Sequence, residues 1–150
     1  RIDSFRGEYA FLSNFYPCHV VYEWLRYPSL EHAYQAAKVL DMRLRVQICI
    51  LPDAGKAKKM GRSLPLRPGW SELRVPTMAW LVEKKFDNPR LGALLLATGD
   101  AELVEGNHWG DDFWGVYSSA GQNNLGKILM RVRTNLRKKA LAAAPQNIGQ

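Results

Sequence analysis

The run Ser29-Leu-Glu-His-Ala-Tyr-Gln-Ala-Ala-Lys-Val-Leu40 restricts the fold more than any other stretch of the chain. Ser29 is a good N-cap and Glu31 falls in the first turn, beside the positive end of the helix dipole. A helix is therefore expected from Ser29 to about Arg43. Leu30, Ala33, Ala37 and Leu40 make one apolar stripe, and Tyr34, Val39 and Met42 widen it until the helix is apolar nearly all round. Such a helix is buried on most sides, so other elements must pack around it. Glu31, Gln35 and Lys38 nevertheless lie on one line, at i, i+4 and i+7. A carboxylate and an ammonium on a buried helix need partners or a wet cavity. Their Cα atoms would stand roughly 10 Å apart along the axis, which leaves room for a ligand.

A second unusual stretch runs from Glu105 to Lys127. It holds Trp109, Trp114, the pair Asp111-Asp112 and several Gly and Asn residues, with no helical or strand period. Ordering a loop with two indoles requires something for the rings to pack on. Turn residues let its backbone approach a ligand. This loop is expected to line a site.

The rest of the chain reads as short elements. Residues 5–17 are expected to be irregular. Cys18–Tyr22 and Trp24–Tyr27 read as a hairpin. A helical piece runs on through Leu51. Asp53 caps a helix closed by Gly61, and 64–69 is a loop. Ser71 caps a long helix to about Phe86, with Pro76 awkwardly inside. Asn88-Pro89 breaks it before a short helix over 91–97. Residues 102–105 suggest a strand, and Asn123 or Asn124 opens a last helix to about Ala143. From Pro145 onward a frayed, disordered tail is expected. No internal repeat or linker is visible. The fold class is α+β, mainly helical: one domain over residues 1–144 with a few short strands.

The 150 residues carry a net charge of +7, clustered at Lys56–Arg67 and Arg131–Lys139, which suits a nucleic acid or a phosphate-rich small molecule. No apolar run approaches the ~20 residues that span a bilayer, so no membrane association is expected. No signal peptide is recognisable, although residue 1 is Arg rather than Met and trimming from a longer chain stays open. Cys18 and Cys49 form no disulfide framework and fit a reducing, cytoplasmic setting. Three histidines and two cysteines without ligand spacing imply no metal. His32 reads as a structural histidine. Gly121-Gln-Asn-Asn-Leu-Gly-Lys127 imitates a phosphate loop, but Ile128 replaces the Ser or Thr needed for magnesium. A weaker idea survives, that free amides at this helix start meet an anion. Glu31, Glu105, Asp111 and Asp112 are the candidate general acids or bases.

Several separated segments then resemble one family in order. They are Phe11-Leu-Ser-Asn-Phe15, Ser29 to Lys38, Gly61-Arg62, Leu66-Arg67 with Trp70, Leu95-Leu-Ala-Thr98, Leu103-Val-Glu105, Trp109-Gly-Asp111 and Asn123-Asn-Leu-Gly-Lys-Ile-Leu-Met130. Together they resemble the NADAR, or YbiA-like, family over residues 5–137. The resemblance implies a compact YbiA-like fold and hydrolysis of an N-glycosidic bond to ribose, with no cofactor. Two substrate classes come with it: ADP-ribose joined to guanine in DNA or RNA, and ribosylamino-pyrimidine intermediates of riboflavin synthesis. The charge tilts the expectation toward an ADP-ribose-bearing nucleotide or nucleic acid as partner; oligomeric partners stay open. Glu31, Lys38 and Asp111 are the candidate catalytic residues. Asn14, Phe15, Arg62, Arg67, Trp70, Trp109, Gly110 and Asn123 are the candidate binding residues. A non-catalytic ADP-ribose reader and a plain basic nucleic-acid module are the rival readings.

Overall fold

A computed structural model describes residues 1–144; the tail expected to fray from Pro145 lies outside them. Every residue of the first helix, α1 (Leu30–Ala37), is buried. The helices α2 (Met42–Cys49), α3 (Ala54–Gly61) and α4 (Trp70–Phe86) pack around it, together with both strands of a hairpin, β1 (Pro17–Tyr22) and β2 (Leu25–Ser29). Helices α5 (Pro89–Ala97) and α6 (Asn124–Ala143) complete the body by packing on α4 and on each other. Strands β3 (Gly106–Asn107) and β4 (Val116–Tyr117) pair in parallel for two residues each. Buried apolar side chains from Phe5 to Val132 form one core.

Local chemistry explains most element starts. Ser29 Oγ accepts from the His32 amide at 3.1 Å, Asp53 from Lys56 at 2.8 Å, and Asn88 from Arg90 at 3.0 Å with Pro89 opening α5. Each satisfies amide groups that a helix start leaves unpaired. Pro76 sits in the middle of α4, where it is exposed and leaves the carbonyl one turn back open to water.

Five expectations are corrected. Ser71 does not cap α4 but lies inside its first turn; the N-cap is Gly69, with φ 75° and no side-chain cap bond. Residues 7–12 are not irregular but a 3-10 helix, Gly7–Leu12. The hairpin turn is Glu23-Trp24, so Trp24 is not in a strand; both have positive φ, 41° and 80°. Buried Arg45 steadies the turn through an ion pair with Glu23 at 2.7 Å. The central helix stops at Ala37 rather than Arg43. No Gly or Pro marks that stop; instead the Lys38 carbonyl accepts from the Arg67 amide at 2.7 Å, and the Val39 carbonyl from Arg45 Nε at 2.9 Å. Finally, the expected strand over 102–105 is reduced to a single bridge between Leu103 and Ile2.

The start of α6 does not offer free amides to an anion. The amides of Gln122, Asn123, Asn124 and Leu125 donate to the carbonyls of Asp112, Gly115, Phe113 and Trp114. The glycine-rich loop is thereby fastened to α6, and Gly126 is small because a Cβ there would strike the Leu103 carbonyl.

Candidate active site

The polar edge of α1 and the indole-bearing loop face each other across a cavity of ≈ 810 Å³. Glu31, Gln35 and Lys38 reach it from α1, Asn14 and Phe15 from the segment after the 3-10 helix, Lys58 and Arg62 from the α3 end, and Trp70 and Arg74 from α4. Glu105, Trp109, Asp111 and Trp114 enter from the loop. Eight of the eleven candidate residues therefore meet: Glu31, Lys38, Asp111, Asn14, Phe15, Arg62, Trp70 and Trp109.

Arg67, Gly110 and Asn123 do not line the cavity. Arg67 ends α1 through its main chain, as described. Gly110 provides a left-handed turn, φ 89°, between Trp109 and Asp111. Asn123 accepts from the Glu105 amide and donates to the Leu103 carbonyl, both at 3.0 Å. It holds the segment that carries Glu105. His32 is structural: Ser29 Oγ lies 2.6 Å from its Nδ1 and its Nε2 donates to the Leu51 carbonyl at 3.0 Å.

The acids differ in environment. Glu31 is 7 % exposed; its amide donates to the Asn14 carbonyl at 3.1 Å, and its Oε1 accepts from Gln35 Nε2 at 2.7 Å. Burial pushes its carboxyl above the usual carboxylate range, opposed by the Gln35 bond and by the Lys58 and Lys38 charges. The Glu105 carboxyl is pushed up to about 8 through burial and the neighbouring Asp111 charge, and its Oε2 is buried without a hydrogen-bond partner. Asp111 is fixed differently. Its Oδ1 accepts from the Phe113 and Trp114 amides, and its main chain exchanges two bonds with the Asn107 side chain. Burial also pulls Lys38 below the usual lysine range, against the opposing pull of the Glu31 charge and with help from the Lys58 charge. At neutral pH the cavity thus combines a protonated Glu105 with an amine whose proton affinity burial lowers.

Aromatic rings build the walls. Tyr34 packs on Trp70 at 5.5 Å and edge-on to Trp114 at 5.6 Å between centroids. The Arg74 guanidinium lies 3.6 Å from the Phe113 ring centre. Sequence reasoning missed Tyr34, Lys58 and Arg74 as cavity residues, placed Trp114 only within the loop expected to line a site, and treated Glu105 only as one of four possible acids. Its signal was its place as the first residue of the loop, six positions before the candidate acid Asp111.

One consequence concerns stability. The Glu105 carboxyl has a folded pKa near 8 against an ordinary value of 4.5. Between those values only the unfolded chain releases the proton, so this group destabilises the fold as pH rises and its effect levels off above about 8. Glu105→Gln keeps the shape without the titration. Its Tm should exceed that of the wild type at pH 7.5 and match it near pH 4. Equal Tm differences at both pH values would show that burial does not hold the proton on Glu105.

A polar trio on a buried helix, closed over by an acidic, indole-rich loop, is the arrangement that the separated motifs imply. A family model, the NADAR domain, matches residues 4–137. The chain belongs to the NADAR domain family. Its relatives include the N-glycosidase YbiA of Escherichia coli K12, 36 % identical over 140 residues, covering 89 % of this chain and 85 % of that protein. The N-glycosidase Npun_R5314 of Nostoc punctiforme is 35 % identical over 136 residues, 86 % of each chain. A riboflavin biosynthesis protein of Vibrio vulnificus is 41 % identical over 146 residues, 95 % of this chain, but this NADAR domain spans only 38 % of that protein's length. The NMR structure of Escherichia coli YbiA superposes with a TM-score of 0.84 at 33 % identity, covering 97 % of this chain and 90 % of the other. The mainly helical YbiA-like fold is therefore that of this domain. No helix among the described residues is long and apolar enough to cross a membrane.

Proposed function

We propose that this NADAR domain is an N-glycosidase that cleaves the bond between ribose and an exocyclic amine, and that its substrate is ADP-ribose attached to guanine in a nucleic acid. The observation that carries the reading is the meeting of Glu31, Lys38, Glu105 and Asp111 in one cavity. A cavity of ≈ 810 Å³ suits a nucleotide-sized group, and Arg6, Arg62 and Arg74 line it alongside Lys38 and Lys58. Those cations favour a phosphate-bearing ligand.

The chemistry follows from the groups present. The lone pair of the exocyclic amine forms an imine to C1 as the bond from C1 to the ring oxygen breaks, and that oxygen takes a proton from the Glu105 carboxyl. Neutral Lys38 adds to C1, and the base departs as its amine after gaining a proton. The sugar is left as an imine on Lys38. Water adds to C1, Lys38 leaves as its amine, and the open-chain aldehyde that remains closes to the free ribose ring. Asp111 orients that water. In the competing route Glu31 and Asp111 would direct water and a proton without any bond to Lys38.

This scheme needs neutral Lys38 and protonated Glu105. Activity as kcat/KM should therefore rise with pH as Lys38 loses its proton and fall as pH passes about 8, where Glu105 ionises. Glu105→Gln should lower the rate and remove the descending limb; a limb that persists unchanged would take Glu105 out of the proton inventory.

The relatives' names favour a second substrate class, since the Vibrio relative is named a riboflavin biosynthesis protein. Side-by-side hydrolysis decides between them: release of ADP-ribose from a guanine-modified oligonucleotide against cleavage of a ribosylamino-pyrimidine phosphate. A kcat/KM higher on the oligonucleotide supports the proposal. Activity confined to the pyrimidine assigns the site to that pathway, and tight binding of ADP-ribose with no turnover of either makes the domain a reader.

A further inference from the structure

We propose that the cavity mouth is a two-sided stacking slot, formed by Phe15 and Trp109 and occupied in the free protein by the Lys58 ammonium, which grips the planar leaving base while the chain bearing that base stays in solvent. The inference rests on the N-glycosidase reading and adds where the leaving group sits.

Phe15 and Trp109 come from distant segments and line the same cavity, yet they are 42 % and 49 % exposed, whereas Trp70 deeper inside is 6 % exposed. Two half-exposed rings lining one cavity leave apolar surface open to water. One cation reaches both rings. Lys58 Nζ lies 5.8 Å from the Phe15 ring centre and 4.9 Å from that of Trp109. Aromatic pairs, offset-stacked or edge-to-face, keep their centroids about 4.5–7 Å apart, and both distances fall in that range, so a planar base centred where the ammonium stands would be within aromatic contact of both rings. A cation over exposed rings is held weakly, and stacking a base on two faces is the stronger contact. The displaced ammonium has somewhere to go. Its charge already acts on Glu31, Glu105 and Lys38, so those groups, which line the same cavity, lie within its electrostatic reach. A base held there presents its sugar bond inward to them. Because the slot lies at the mouth, the base need not leave its strand to be gripped.

Guanosine, the nucleoside that remains after cleavage, is the probe. Titrated into the wild-type domain, it should quench tryptophan fluorescence saturably, whereas ribose 5-phosphate should not. Trp109→Leu and Phe15→Leu should each weaken guanosine binding about fivefold or more. Lys58→Met should instead tighten it, by about threefold to tenfold, because no cation need be displaced. Far-UV circular dichroism and Tm confirm that each variant is folded; for one that is not, Trp109→Phe and Phe15→Tyr serve, and near-normal binding is expected from them. Unchanged guanosine affinity in both leucine variants overturns the slot. So does a Lys58→Met variant weakened as much as they are, since the ammonium would then be a contact rather than an occupant. Hydrolysis is read separately. Guanosine bound in the expected pattern by a protein that cleaves neither substrate class leaves the slot standing and removes the hydrolase reading; cleavage without that pattern does the reverse.

Discussion

Lys38→Met is expected to lower kcat by about 10³-fold or more while leaving the fold intact. Methionine keeps the length of the side chain and removes the amine. Lys38 is the C-cap residue of α1 and its main-chain carbonyl, not its side chain, receives the Arg67 amide, so the helix end survives the change. The Lys38 ammonium also lies 5.7 Å from the Tyr34 ring centre, a contact that a thioether can replace. A loss confined to kcat, with substrate affinity preserved, identifies a group that acts in the chemical steps. A change confined to KM would make Lys38 a binding residue.

Gly115→Ala should be the most damaging single methyl in the site. A Cβ at Gly115 would run into the Glu105 carbonyl, approach Glu105 Oε2 to 2.5 Å and Asn107 Nδ2 to 2.7 Å. The carbonyl is already bound by the Val116 amide at 2.8 Å, and Asn107 holds the Asp111 main chain, so neither can retreat freely. Overpacking of this kind costs about 1–3 kcal/mol, or a Tm decrease of about 3–10 °C in a domain of this size. Because the displaced groups are Glu105 and the support of Asp111, kcat/KM should fall by about 10²-fold beyond any loss of folded protein. Thermal melts and assays at 20 °C separate the two effects. A variant as stable and active as the wild type would mean that the loop is not packed on Glu105 as described.

How far the sequence revealed this site depended on whether the signal was local. The caps at Ser29 and Asp53 were legible because each side chain serves an amide three residues on, whereas Asn88 read only as a break and Ser71, read as a cap, lies inside α4. The end of α1 was not, because its carbonyls are taken by Arg67 and Arg45, which are remote in sequence or on the next helix. The line Glu31–Gln35–Lys38 was legible from helical spacing, and its conflict with burial pointed to a cavity. The opposite wall was only half visible. Trp109, Trp114 and Asp111 stand out in a loop rich in turn residues, whereas Tyr34 reads as ordinary core, Arg74 as ordinary surface charge, and Lys58 as one member of a basic cluster. Arg67 and Asn123 are misread for the same reason: both look like ligands by residue type, but tertiary contacts use one main chain and one side-chain amide to hold neighbouring site residues in place.

The most direct measurement is reductive trapping with residue-level mapping. Borohydride is added during turnover of the better substrate, and the protein is digested and weighed peptide by peptide. The account predicts that the Lys38 peptide, and no other lysine peptide, gains the mass of the reduced sugar, and that Lys38→Met gains none. Base released at the normal rate with Lys38 unmodified, under conditions that trap a known lysine-imine enzyme, would contradict it and return the reaction to water directed by Glu31 and Asp111.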